Sequence, residues 1–360
     1  MDQLISVSGL GGKFPAAFLV EVKDCRILLD MGKGPEQGVR PDLSQIGKVD
    51  AVVLTHAHID HSGSIDLLNM IGEPPVYASH QTWTHIERKG YLPKVRKVIP
   101  LAGQVNIVGV AITFGRSGHA PGGVWIHIET PAGGILYTGD FSYESILLPF
   151  DPPPVARSII IDASYGDKSE SLVDQVTEIA NVAQSGAVFF IPTCGRGPDM
   201  AIQFAKAGIT SKVCSAIASE IHYLAHSEHS DCQPETRDAL SEVAFRITDI
   251  KNAHPNDIII AAETGNLTGL AANPLLLKYK DFKFIFTGHV VANSLADKLL
   301  SQDRARLLGW NVHPRLTDVL NLTDQCKATK VLPAFIDMKT APALCKALGS
   351  RLHLGYSIPI

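Results

Sequence analysis

The sequence has no long apolar run, no paired cysteine motif and no excess of positive charge. No stretch approaches the roughly 20 apolar residues that a membrane span needs, so no membrane association is expected. The opening MDQLISVSGL lacks the basic start and apolar core of a secretory signal. The cysteines (Cys25, Cys194, Cys214, Cys232, Cys326 and Cys345) are scattered, with no CxxC pair. They read as reduced, mostly structural thiols of a cytoplasmic protein. Formal net charge is −4, so the whole molecule is no electrostatic magnet for nucleic acid. One basic stretch, ERKGYLPKVRKV, gathers Arg88, Lys89, Lys94, Arg96 and Lys97. It reads either as a local nucleic-acid patch or as a solvated face.

What the chain does have is enough apolar sequence to bury a large core. At 360 residues and 45% hydrophobic content, two domains are the better expectation. The first half alternates short β-branched strands with glycine-rich turns, as in VDAVVLT, VWIHIET and GGILYTGD. SGSIDLLNMIG has helical spacing, with Ser62 or Ser64 able to cap it. From about Ser171 the pattern becomes α/β alternation, which predicts a partly parallel sheet covered by helices.

The densest chemistry lies in VVLTHAHIDHSG, Val52–Gly63. A buried strand delivers the chain to a turn holding His56, His58, Asp60 and His61. Residues two apart in extended backbone project to one side. That spacing suits two neighbouring metal ions, with His56 and His58 on one and Asp60 and His61 on the other. Imidazole and carboxylate favour zinc, one or two ions, with manganese and iron as other fits.

The HxHxDH run resembles the signature of the metallo-β-lactamase superfamily, whose fold is an αββα sandwich. The resemblance implies further ligands at strand ends. GRSGHAPGG supplies His119 and LYTGDF supplies Asp140, which would bridge both metals. ILLDMG supplies Asp30, which would orient a ligand from behind.

Later segments are similar to the β-CASP branch of that superfamily. IIIDASYGD resembles its first motif, with Asp162 as the acid, and NVHPRLTDVLNL resembles its second, with His313 as the histidine. ETGNLTG and FIFTGHVVANSLADKLL resemble its glycine-rich turns. The implied architecture is a first core part at residues 1–186, an inserted α/β β-CASP-like cap at 187–310, and a return to the core at 311–360. Two departures stand out. PAFID places Phe335 where the branch has a histidine that completes the second metal; water, Asp337 or His353 are the substitutes in sequence reach. Pro314 and Arg315 replace the usual Ala-Asp after His313.

The resemblance implies metal-activated hydrolysis of a phosphodiester, with Asp60 or Asp140 holding the nucleophile and His313, backed by Asp162, protonating the leaving oxygen. Phosphate binding is expected from IPTCGRGPD, where Gly195 opens a helix and Arg196 adds a cation, and from Thr287, Gly288 and His289 in a comparable turn. His222, His226 and His229 have helical i, i+4, i+7 spacing, which suits a solvated stripe or a second metal. The expected partner is single-stranded RNA or DNA, with exposed cap edges leaving room for a homodimer. Two other readings use the same core: a metallohydrolase of a small ester, thioester or lactone, and a non-catalytic RNA- or protein-binding relative.

Overall fold

The computed structural model describes residues 2–34, 36, 38–88, 90, 92–244, 253–262 and 281–360. The chain divides into two compact units. The first comprises Met1–Tyr143, Phe150–Ser169 and His313–Ile360; the second comprises Glu144–Pro149 and Glu170–Val312.

The first unit is a sandwich of two sheets. One has seven strands in the order Ser357–Pro359, Gln3–Ser8, Ala17–Val22, Cys25–Leu29, Ala51–Val53, Val76–Ser79 and Arg96–Ile99. Its first four strands are antiparallel neighbours; from Cys25–Leu29 onward they run parallel. The other has six strands in the order Lys330–Ala334, Ser158–Asp162, Ile135–Tyr137, Val124–Ile128, Val110–Arg116 and Gly103–Ile107. Strand periodicity sets the layers, because alternate residues face opposite sides of a sheet. Ile27, Leu29, Val53, Ile126, Tyr137 and Ile160 fill the space between the sheets. Their neighbours Leu28, Val52 and Leu54 pack outward beside Ile65, Leu68, Trp83 and Ile86. On the other side Ile159 and Ile161 pack outward on Val319, Leu322 and Leu344. The result is the four-layer αββα arrangement expected from the sequence.

Local details differ from the sequence expectation. VNIVGVAITFG is a hairpin that turns at Val108 and Gly109, both at positive φ, rather than one strand. Ile65–Ile71 is a 3₁₀ helix, and neither Ser62 nor Ser64 caps it. Ser64 instead donates to the Gly32 carbonyl at 2.6 Å, and Ser62 to the Ala57 and His58 carbonyls, both at 3.0 Å.

The second unit holds an all-parallel five-stranded sheet in the order Lys212–Val213, Ile258–Ala262, Ala187–Ile191, Phe284–Phe286 and Ala305–Leu307. The helix Leu172–Ala183 packs into its core through Leu172, Val176, Ile179 and Ala183. That packing draws the chain into this unit at Glu170, earlier than the boundary at 187 read from the sequence. The ETGNLTG turn, residues 263–269, lies outside the described residues, as does Lys89 of the basic stretch. No helix among the described residues is long and apolar enough to cross a membrane.

Candidate metal centre

The C-terminal ends of the first unit's strands deliver the chemistry. Asp30 follows Cys25–Leu29, His56 follows Ala51–Val53, Asp140 follows Ile135–Tyr137, and Asp162 closes Ser158–Asp162. Asp60 and His61 lie in a one-turn helix, Ile59–Ser62, rather than in the bend expected. The backbone there is pinned. Ala16 N–H donates to the Asp60 carbonyl and Met31 N–H to the His61 carbonyl, both at 2.8 Å. This close approach requires glycine at position 32, where a Cβ would stand 1.7 Å from the Asp60 carbonyl oxygen. Gly139, at φ +52°, likewise lets the Asp140 loop lie on Thr55.

These loops bring the expected ligands together. Donor atoms of His56, His58, His119 and Asp140 all lie within 4.8 Å of one another. So do those of Asp60, His61 and Asp140, which makes Asp140 common to both sets. His61 Nε2 and Asp140 Oδ1 stand 3.1 Å apart, yet both are buried without a hydrogen bond. His56 Nε2 is buried and unbonded as well, 3.9 Å from Asp140 Oδ2. Buried polar atoms normally find partners, and unbonded ones demand a reason. Here they crowd within 4.8 Å of the other donors of their sets, as ligands of one cation do, so the residues present fit a zinc-type ion.

Electrostatics agree. Burial, reinforced by the neighbouring imidazoles, holds His56 well below the usual histidine range, in the neutral form that binds metal. Burial alone would lower His61 too, but the carboxylates of Asp140 and Asp30 outweigh it and raise it well above that range. Burial raises Asp140, against the pull of His61 and His313.

Asp30 lies behind His61, accepting from His61 Nδ1 at 2.7 Å and from the Thr55 hydroxyl and amide at 2.8 and 2.7 Å. His313 lies beside the cluster: its ring is 4.9 Å from that of His119, and its Nδ1 is 2.8 Å from Asp162 Oδ2. Burial works against the Asp162 charge, but His313 and the Ser164 contacts outweigh it and hold the carboxyl below its ordinary range. Phe335, at φ +64°, sets its ring 5.2 Å from that of His61, so the substitution falls at the metal site itself. Both side chains named as substitutes are engaged elsewhere. The Asp337 side chain caps the turn at Lys339, and His353 Nε2 lies 3.2 Å from the Ser357 carbonyl. The sequence reading missed Thr55, Tyr137 and Tyr165. Tyr137 donates to Asp30 at 2.6 Å, and the Tyr165 ring lies 5.2 Å from that of His313.

Within the second unit, the loops singled out for phosphate do meet. Gly195, at φ +80°, precedes the helix Arg196–Lys206. Arg196 Nη1 is 3.5 Å from the Thr287 carbonyl, and a side chain at Gly288 would come within 3.0 Å of that same nitrogen. The Thr287 hydroxyl is buried with no hydrogen bond among the described residues, and His289 is exposed. His222 and His226 are exposed neighbours on the helix Ser215–His226. In the basic stretch Lys94 pairs with Glu73 and Arg96 with Glu87, which spends part of its charge locally.

Comparison with known proteins places this geometry. Residues 10–181 match the model of the metallo-beta-lactamase superfamily. The chain is 28% identical to transcription termination factor FttA of Methanosarcina mazei, across 54% of this chain and 38% of that protein. It is 29% identical to ribonuclease TTHA0252 of Thermus thermophilus, across 47% and 46%. A further FttA, from Cenarchaeum symbiosum, is 24% identical across 91% of this chain and 61% of its own length. The chain thus spans less than half the length of the first two relatives. A crystal structure of a protein of unknown function from Enterococcus faecalis V583 superposes with a TM-score of 0.62 over 99% of both chains, at 15% identity, a likeness of fold alone.

Proposed function

We propose that this chain, which belongs to the metallo-β-lactamase superfamily through residues 10–181, is a metal-dependent phosphodiesterase that cuts single-stranded RNA. The observation that carries the reading is the His313–Asp162 pair, hydrogen-bonded at 2.8 Å beside the cluster of metal donors. A hydrolase that only polarised an ester would not need a buried acid–histidine pair at that place. The relatives named as ribonucleases support RNA as the substrate class.

Zinc, or manganese in its stead, would be held by His56, His58, His119 and Asp140 on one side and by Asp60, His61 and Asp140 on the other. Bound there, it supplies acidification of water and neutralisation of phosphate charge. The chain's residues do the rest. Asp162 accepts a hydrogen bond from His313 Nδ1–H, so that the doubly protonated ring can give its Nε2 proton to the departing oxygen. A histidine suits this role because its ordinary pKa lies near working pH. The imidazole side is a complete four-donor set, whereas the Asp60 side has three donors and the Phe335 ring, so the two ions are held unequally.

In the second unit, Arg196, Gly195, Thr287, Gly288 and His289 are assigned to phosphate contacts. A guanidinium, a buried unbonded hydroxyl and a helix start meet there. The unpaired thiols fit a reducing compartment such as the cytoplasm. The edge strand Ala305–Leu307, with Leu307 exposed, is the surface a homodimer would use.

The test offers zinc- or manganese-loaded protein labelled single-stranded RNA, the matching DNA, bis-p-nitrophenyl phosphate and a panel of esters and lactones. RNA cleavage that is lost in Asp60→Ala and His313→Ala is expected. Turnover of esters or lactones alone, or metal binding with no hydrolysis, would overturn the proposal.

A further inference from the structure

Tyr137 and Asp140 belong to one short segment at the end of the strand Ile135–Tyr137, and they act on opposite ends of a single imidazole, Asp140 directly and Tyr137 through Asp30. Asp140 Oδ1 stands 3.1 Å from His61 Nε2. On the opposite side of the ring, His61 Nδ1 meets Asp30 Oδ2 at 2.7 Å, and the Tyr137 hydroxyl donates to that same oxygen at 2.6 Å. Asp30 itself sits at φ +61°, a left-handed conformation unfavourable to a residue with a Cβ, so its carboxylate is held in place at a cost.

We propose that Tyr137 is a positioning residue for the metal centre: it locks the Asp30 carboxylate so that His61 presents Nε2 to the cation bound with Asp60 and Asp140. The inference rests on reading these donors as a metal site. Three features make Tyr137 suited to it. First, it is a cross-sheet strap, because Tyr137 lies in the six-stranded sheet while Asp30 follows a strand of the seven-stranded one. Second, its ring is wedged by packing: it is 1% exposed, and its centroid is 5.1 Å from that of Phe18, which in turn contacts Phe335. The hydroxyl therefore has little freedom to leave Asp30. Third, the His61 side of the site lacks a second imidazole and is walled by Phe335, so the orientation of its one histidine counts for more there than on the three-imidazole side. Partners behind a metal-ligating histidine fix its tautomer and ring orientation, and losing one typically weakens metal binding by about 10- to 100-fold.

The test is Tyr137→Phe, which removes one oxygen and keeps the ring against Phe18. Zinc would be titrated into the metal-free variant and the metal-free wild type against a chromophoric chelator. Nitrogen-15 histidine spectra and thermal melts would be recorded on the same samples. The weaker of two zinc affinities should fall about tenfold, the tighter one should stay unchanged, and the His61 Nδ1–H signal should shift or broaden. A purely structural hydroxyl would lower the melting temperature but leave both affinities and that signal at wild-type values, and this result overturns the inference. Thr55→Ser, which keeps a hydroxyl on Asp30, should retain wild-type affinities and so guards against a general loosening of the core. If the wild type binds zinc and Tyr137→Phe binds it equally well, only this inference falls. If the wild type binds no zinc, the metal-site reading falls and takes the inference with it.

Discussion

In the first unit Asp30, Asp140 and Asp162 are buried among imidazoles, whereas in the second unit Asp199 is buried near a serine hydroxyl, a backbone amide and an indole. Burial penalises a carboxylate in both places, and what differs is the compensation. Asp162 has His313 and stays below the ordinary carboxylate range. Asp199 has no comparable partner, and burial pushes it up to about 7 against weaker pulls from Ser145, Ile146, Trp310 and Arg196. An acid surrounded by histidines whose own ring nitrogens lack hydrogen bonds is arranged for a cation. An acid carried into an apolar core where burial outweighs its few polar neighbours is arranged to be protonated, and its role is structural. The two kinds of buried acid should therefore respond oppositely to substitution, and four variants rank by what they do to hydrolysis.

The largest effect belongs to Asp140→Ala. Asp140 is common to both donor sets, so its loss strips a ligand from each. Removing a partner behind a ligand costs about 10- to 100-fold in metal affinity, and removing a shared ligand should cost more. Equilibrium dialysis should find less than one ion per chain, with hydrolysis at background. Two ions retained at wild-type affinity would break the comparison at its root.

His313→Ala comes next. Proton delivery by a positioned side chain is worth about 10²- to 10⁴-fold, so kcat should fall within that range while metal content stays unchanged. The loss should be smallest on substrates with good leaving groups such as p-nitrophenolate, which need no proton. If metal content falls with activity, His313 is a ligand instead, a role its placement with Asp140 and Asp162 would permit.

Much of this site was legible in the sequence because its donors sit at strand ends, where alternation and turn residues mark position. His56, His58, Asp60 and His61 fall within a single turn, and Asp30, His119 and Asp140 each follow or join short glycine-bearing loops. Tyr137 was not legible. Its alternation marks it as one more inward core residue, and nothing local says that its hydroxyl reaches a carboxylate 107 positions away. The boundary at Glu170 was hidden for a similar reason. Leu172–Ala183 reads as an amphipathic helix in either unit, and only the buried partners of Val176 and Ile179 assign it. Phe335 was visible as a departure, but that it stands against His61 depends on a sheet pairing, Ser158–Asp162 with Lys330–Ala334, that joins distant segments.

Phe335→His tests the inequality inside the first unit. An imidazole at that position would add a fourth donor beside His61, Asp60 and Asp140. The weaker zinc affinity should tighten about tenfold, or about 1.4 kcal/mol. Hydrolysis at low zinc should rise, and at saturating zinc it should barely change. A chelator titration against zinc reads both. Unchanged affinity would mean that the ring there cannot reach the ion.

Asp199→Asn should leave hydrolysis unchanged and alter only the pH dependence of stability. The Asp199 carboxyl ionises near its ordinary 3.8 when unfolded and at about 7 when folded, so across that interval the folded chain holds a proton that the unfolded chain has released. Stability from this group is therefore full below about pH 4, declines as pH rises towards 7, and is lost above it. That rise in pKa corresponds to at most about 4 kcal/mol. Asparagine keeps acceptor and donor atoms in place without a charge. Denaturant melts of the wild type should show the second unit weakening between about pH 4 and pH 7, and the variant should lose that slope. A wild type with no such slope, or a variant that keeps it, would place Asp199 with the paired acids of the first unit and remove the contrast between the two.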